Sequence, residues 1–152
     1  MFHVILLEPE IPPNTGNIIR LCANAGSRLH LIEPLAFSMT DKQLKRAGLD
    51  YHQLANVSTH PDLNTCLKDI RPRRVYAFST KAGTSYADAC YQPGDAFLFG
   101  PESRGLPEQL LQSIPPEQLL RIPMQQHSRS LNLCNAVAIG LYEAWRQNCF
   151  GQ

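Results

Sequence analysis

The sequence is short of the features that announce special environments. Its longest apolar stretches, Val4 to Leu7 and Ala136 to Leu141, fall far below the roughly 20 residues a membrane helix needs, so no membrane segment is expected. Met1-Phe2-His3 offers no basic leader region, and Glu8 ends the apolar run that follows; no secretory signal is expected. Cysteines are few and odd in number: Cys22, Cys66, Cys90, Cys134 and Cys149, with no Cys-x-x-Cys pair. That argues against a disulfide framework or a structural zinc motif and for reduced thiols in a cytoplasmic protein. The five histidines show no His-Glu-x-x-His spacing, so metal catalysis is not expected. Charge bias is also missing, with 14 basic residues against 13 acidic. This excludes a basic nucleic-acid arm and an acidic tail, but not a local RNA-binding patch. Neither Gly-x-Gly-x-x-Gly nor Gly-Lys-Ser/Thr occurs, which disfavours dinucleotide and P-loop sites.

What is present is a globular composition. A chain of 152 residues, 43% hydrophobic, predicts one domain over 1–152 with a real core. Phe2 to Leu7 reads as a buried parallel strand, continuous in apolar residues. The prolines between Glu8 and Pro13 forbid helix there. Asn14 then reads as an N-cap, with Ile18, Ile19, Cys22 and Ala25 at helical spacing behind it and Gly26 as the stop. Further strands are expected at Arg28 to Ile32, Ala55 to Thr59, Val75 to Ser79, Ala96 to Phe99 and Leu119 to Ile122. Helices are expected at Thr40 to Ala47, Asp62 to Ile70, after Pro107, and from Leu131 to Gln147. Strands alternating with helices define an α/β fold, a mostly parallel sheet with helices on both faces.

Ligands of such sheets bind outside the carboxyl ends of the strands, and three loops there stand out. Asn14 to Arg20 follows the first strand and opens a helix. Gly16 permits close approach, and helix N-terminal amides favour phosphate. Phe99 to Pro107 brackets Glu102, Ser103 and Arg104 between two glycines and two prolines. Ser103 is out of register with Gly-x-Ser-x-Gly, so this is no hydrolase elbow. The third runs from Ile122-Pro123-Met124 to Ser130-Leu131-Asn132-Leu133, with Ser130 a candidate N-cap for the last helix.

Taken together, Asn14-x-Gly16-x-x-x-Arg20, Phe99-Gly100-Pro101-Glu102-x-x-Gly105-Leu106-Pro107, and Ile122-Pro123-Met124 followed by Ser130-Leu131-Asn132-Leu133 and Ala136 resemble the three motifs of the SPOUT methyltransferases, in the same order. The match extends over essentially the whole chain and fits the minimal subgroup without an added RNA-binding domain. The opening Phe2 to Asn17 is most similar to the tRNA (cytidine/uridine-34-2′-O)-methyltransferases. The resemblance implies a C-terminal deep trefoil knot, a homodimer, and S-adenosylmethionine held by loops at Phe78, Gly100 and Ile122 to Leu131. It implies methylation of the wobble ribose, of cytidine or a modified uridine, in the anticodon stem-loop of a tRNA, with leucine tRNA the expected substrate. It assigns activation of the ribose hydroxyl to Arg20. Arginine keeps its proton in proteins, so Arg20 is expected to bind phosphate and stabilise alkoxide charge rather than act as a base.

On this reading Phe78, Gly100, Ile122, Ser130 and Leu131 are the cofactor-binding candidates, with Met124 as an apolar wall. Asn14, Arg20, Arg129 and Tyr142 are the candidates for RNA contact, with Tyr142 open to the alternative of contact with the dimer partner, and no metal takes part. The clusters Lys42/Lys45/Arg46, Arg71/Arg73/Arg74 and Arg104/Arg129 are the expected phosphate-binding patches. Gly140 in the last helix is expected to let two subunits approach closely. Two alternatives stay open: a sister enzyme acting on another tRNA or rRNA ribose, and a non-catalytic RNA-binding module on the same fold.

Overall fold

The computed structural model describes residues 1–38 and 56–151. Its strands are β1 (His3–Leu7), β2 (Arg28–Ile32), β3 (Val57–His60), β4 (Val75–Phe78), β5 (Thr84–Ser85), β6 (Ala96–Phe99) and β7 (Leu119–Arg121). The helices are α1 (Pro12–Asn24), α2 (Leu63–Ile70), α3 (Glu108–Ser113) and α4 (Leu133–Gln147). The strands form one sheet in the order β3-β2-β1-β6-β4-β7-β5, and every pairing is parallel.

β1 explains the layering. Val4 and Leu6 join one apolar cluster while Ile5 and Leu7 join another. Successive residues of a strand point to opposite faces, so a run that is apolar throughout must be covered on both sides. α1 and α4 cover the first face with Ile18, Ile19, Cys22, Val137, Leu141 and Ala144. α2 and α3 cover the second with Cys66 and Leu111.

The expected starts of the first and last helices and the expected role of Gly140 change. α1 begins at Pro12, not behind Asn14, and its cap residue is Ile11. Proline is tolerated in a first helical turn because the N–H it lacks has no partner there anyway. The last helix starts at Leu133, capped by Asn132 rather than Ser130: the Asn132 side chain accepts from Cys134 N and Asn135 N. Gly140 is buried within its own subunit. A Cβ there would lie 2.8 Å from Phe78 Cζ, so its role is to admit the Phe78 ring, and the expected approach between subunits is replaced by this contact. The expected helix at Thr40 to Ala47, with Lys42, Lys45 and Arg46, lies outside the described residues.

An ion pair between half-exposed Arg74 and buried Asp95 ties the strand starts together. Asp95, fully buried, accepts from Arg74 Nε at 3.2 Å and Nη2 at 2.8 Å, and from Gln92 N at 2.8 Å. The Arg74 guanidinium also lies over the Tyr76 ring. Arg74 is therefore engaged within the fold, where the sequence leads one to expect a phosphate-binding member of the Arg71/Arg73/Arg74 cluster.

Candidate active site

A cavity of about 630 Å³ opens at the carboxyl ends of β4, β6 and β7. Its walls come from five separate segments: Ile11 and Asn14 at the start of α1, Phe78 to Lys81 after β4, Phe99 to Leu106 after β6, Leu111 of α3, and residues from Ile122 to Ala136 that lead from β7 into α4. The volume falls within the range of small-molecule sites, about 300–1,000 Å³.

A polar chain joins those segments. Glu102 Oε2 accepts from Glu10 N at 2.8 Å, and Oε1 accepts from Ile11 N at 3.1 Å and from Asn14 Nδ2 at 3.2 Å. Asn14 Oδ1 accepts from Asn132 Nδ2 at 2.9 Å, and Asn132 Oδ1 caps α4. Glu102 thus satisfies two amides at the start of α1 that have no helical partner, and its negative charge suits that end of the helix dipole. Beside it, the Glu10 carboxylate accepts from Ser103 Oγ at 2.7 Å and Ser103 N at 2.9 Å. Those hydrogen bonds, the Ser103 hydroxyl first, hold the Glu10 carboxyl below its usual range. Arg104 pairs with Glu8 and lies 4.0 Å from Glu10.

The loop after β6 is closed on itself. Gly105 N donates to Pro101 O at 2.9 Å, and Gly105 adopts φ +67°. A Cβ on Gly100 would sit 2.3 Å from Gly105 C and 2.4 Å from Leu106 N. No side chain fits there without moving backbone. On the opposite wall Phe78 stacks on Phe99, with centroids 4.6 Å apart and planes 15° apart, and meets Phe97 edge-on.

The structure therefore brings together Asn14, Phe78, Gly100, Ile122, Met124, Arg129, Ser130 and Leu131 around one cavity. Arg20 and Tyr142 are not among its walls. Arg20 is exposed on α1, six residues past Asn14 and so about 9 Å along the helix axis. Tyr142 is 40% exposed on α4 and packs edge-on against Trp145. Sequence reasoning passed over Asn132. The signal was available, since asparagine is among the strongest N-caps and stands directly before the apolar periodicity of α4.

A parallel sheet with a cavity built from its strand-end loops is the architecture of an α/β enzyme that binds a small organic cofactor. The model of the SpoU rRNA methylase family matches residues 1–142, and the chain belongs to that family. Among curated relatives, the tRNA (cytidine(34)-2′-O)-methyltransferase of Methylovorus glucosotrophus is 55% identical over 150 residues, spanning 99% of this chain and 97% of its own. The enzyme of the same name from Escherichia coli K12 is 54% identical over 147 residues, spanning 97% and 94%. A solved structure concerned with 2-OH methylation of C/U34 on tRNA superposes with a TM-score of 0.90 at 46% identity, covering 100% of this chain and 98% of the other. The AdoMet-bound rRNA methyltransferase of Sinorhizobium meliloti superposes with a TM-score of 0.81 at 26% identity, covering 95% of this chain and 56% of its own.

Proposed function

We propose that this chain is an S-adenosylmethionine-dependent methyltransferase acting on the ribose 2′-hydroxyl of nucleotide 34 of tRNA, with leucine tRNA as substrate. The observation that carries this reading is the chain of hydrogen bonds Glu102–Asn14–Asn132, which draws three distant motif segments around one cavity. The residues fit the cofactor. Phe78, Ile122 and Met124 supply apolar walls, and Gly100, where even a Cβ is excluded, leaves backbone as the lining of its loop. Adenine and methionine groups are recognised by such a mixture of apolar surface and backbone polar atoms.

When bound, S-adenosylmethionine supplies a methyl group already activated by a sulfonium, so positioning lowers much of the barrier. The chain's residues then have four tasks. Gly100, Ser130 and Leu131 hold the donor's polar ends through backbone groups. Asn14, fixed by Glu102 and Asn132, marks the rim where the ribose lies. Arg20, outside the cavity, meets the RNA from above. Its guanidinium binds a phosphate next to nucleotide 34 and stabilises negative charge growing on the 2′-oxygen. The proton leaves to a phosphate oxygen or a water, because a guanidinium has no lone pair to receive it.

RNA affinity rests on local cations. Arg129 is exposed beside the cavity and is the principal phosphate ligand. Arg104 contributes less, since Glu8 and Glu10 already occupy it. The proposed enzyme is a cytoplasmic homodimer. Support comes from an aromatic ladder on the α4 side of the chain. Tyr142 meets Trp145 at 5.4 Å between centroids, Trp145 meets Phe150 at 5.3 Å, and Tyr142 and Phe150 are 40% and 48% exposed. Among the described residues no helix is long and apolar enough to cross a membrane.

Mass spectrometry of tRNA nucleosides from cells with and without the gene tests the reading. Loss of 2′-O-methylation at position 34 is expected. Unchanged modification there would refute it.

A further inference from the structure

The second face of the sheet carries a group of side chains that methyl transfer does not use. His30 of β2, His60 at the end of β3 and Cys66 of α2 are all buried, at 3%, 8% and 0% exposure. Their ligand atoms lie within 4.8 Å of one another. His30 Nδ1 and His60 Nε2 face each other at 3.1 Å. We propose that His30, His60 and Cys66 form a binding site for a borderline-soft divalent cation of the zinc class, which clamps the sheet edge to α2.

Two features support that assignment. The first is spacing. Zinc–nitrogen bonds of about 2.0–2.1 Å in a tetrahedron put neighbouring nitrogens about 3.3–3.4 Å apart. The His30–His60 pair needs to open by only a few tenths of an ångström from 3.1 Å. The second is what lies behind each ligand. Metal-binding histidines normally donate their other ring N–H to an acceptor that fixes the tautomer. His60 Nδ1 lies 3.4 Å from the Asp69 carboxylate, and His30 Nε2 lies 3.0 Å from His3 Nδ1. Both outer partners are therefore in place.

Without metal, one proton lies between His30 Nδ1 and His60 Nε2. On binding, His30 carries its proton on Nε2 and donates to His3 Nδ1, and the His3 proton moves to its outer nitrogen. The Cys66 thiol loses its proton to solvent, as metal binding to cysteine requires. A thiolate and Asp69 together balance the two positive charges. The fourth position takes water. This site lies on β2, β3 and α2, away from the cavity at β4, β6 and β7, and does not depend on the proposed reaction.

The test uses metal-free full-length chain carrying Cys90→Ser and Cys149→Ser, which removes the two exposed thiols. Titration with Co²⁺ is expected to saturate at one equivalent, to give thiolate-to-cobalt charge-transfer absorption, and to be reversed by Zn²⁺. Cys66→Ala should abolish that absorption. Asp69→Asn, at a surface position that leaves the core untouched, should weaken the affinity about 10- to 100-fold. Absence of saturable uptake, absorption that survives Cys66→Ala, or wild-type affinity in Asp69→Asn would each overturn the proposal. Where Cys66→Ala does not fold, X-ray absorption of the zinc-loaded parent decides. One sulfur and at least two nitrogen ligands are expected, and a shell without sulfur overturns the site.

Discussion

Gly140→Ala is the substitution on which two opposing effects can be weighed. In a helix interior alanine is favoured over glycine by about 1 kcal/mol, so local propensity alone makes this change stabilising. The tertiary contact says otherwise. The new Cβ would lie 2.8 Å from Phe78 Cζ and 3.1 Å from Cε1, where carbon atoms prefer about 3.5–4.0 Å. The ring must therefore shift by about 0.7 Å or more. It cannot retreat along the sheet, because Phe99 stacks on it and Phe97 abuts its edge; the open side is the cavity that Phe78 lines. Overpacking of this kind costs about 1–3 kcal/mol. Set against the propensity gain, the net expectation is a loss of about 0–2 kcal/mol, together with weaker S-adenosylmethionine binding. Urea denaturation reports the first quantity and titration calorimetry the second. Truncating the ring in a Phe78→Leu background should uncover the propensity gain, giving a coupling energy of about 0.5–3 kcal/mol between the two positions. A Gly140→Ala protein about 1 kcal/mol more stable, with unchanged affinity for the cofactor, would refute the packing argument.

Arg20→Ala is expected to abolish methyl transfer and to leave cofactor affinity and thermal stability nearly unchanged, since Arg20 is exposed and outside the cavity; Arg20→Lys should fail as well, because an ammonium cannot reproduce the planar fork, and near-normal turnover by the lysine variant would contradict the role. Glu102→Ala removes the acceptor of three hydrogen bonds; hydrogen bonds to charged groups are worth about 1.5–3 kcal/mol each, so stability should drop by at least that much and cofactor affinity should fall with it, which denaturation and calorimetry will show together. For pH, in the metal-free chain the His30 pKa is near 4 when folded against 6.5 when unfolded. The unfolded chain therefore binds the extra proton between those values. Stability is fully present above pH 6.5 and lost as pH falls towards 4, with a slope of up to about 1.4 kcal/mol per unit for one proton. His3, also depressed chiefly by burial, adds to it in the same direction, and urea midpoints that are equal at pH 7 and pH 5.5 would rule this out. Arg129→Glu should weaken tRNA binding more than Arg104→Glu does and should flatten the salt dependence; filter binding at several salt concentrations measures both.

The residues settle locally whatever is decided locally. The continuous apolar run of β1, the helical spacing of Ile18, Ile19 and Cys22, and the glycine- and proline-rich loops at strand ends were enough for a parallel α/β sheet and for the three loops around the cavity. Resemblance to a known family added the cofactor and the expectation of a knot, because side-chain periodicity carries no trace of how a chain is threaded. The rest needed the tertiary structure. Glu102 is 88 residues from Asn14, and Asn132 is 118 from it; only the pairing of β1 with β6 and the packing of α1 against α4 bring them within hydrogen-bond reach. Pro12 and Pro13 have the composition of helix breakers yet open α1, because the same missing N–H harms an interior and is harmless in a first turn. Gly140 read as a gap for a second subunit, and only the position of the Phe78 ring made it a gap within one chain. His30, His60 and Cys66 match no spaced motif, yet parallel neighbours β2 and β3 and the overlying α2 put them side by side. Local rules specify which elements form; strand order and register, set by burying both faces of the sheet at once, specify which side chains meet.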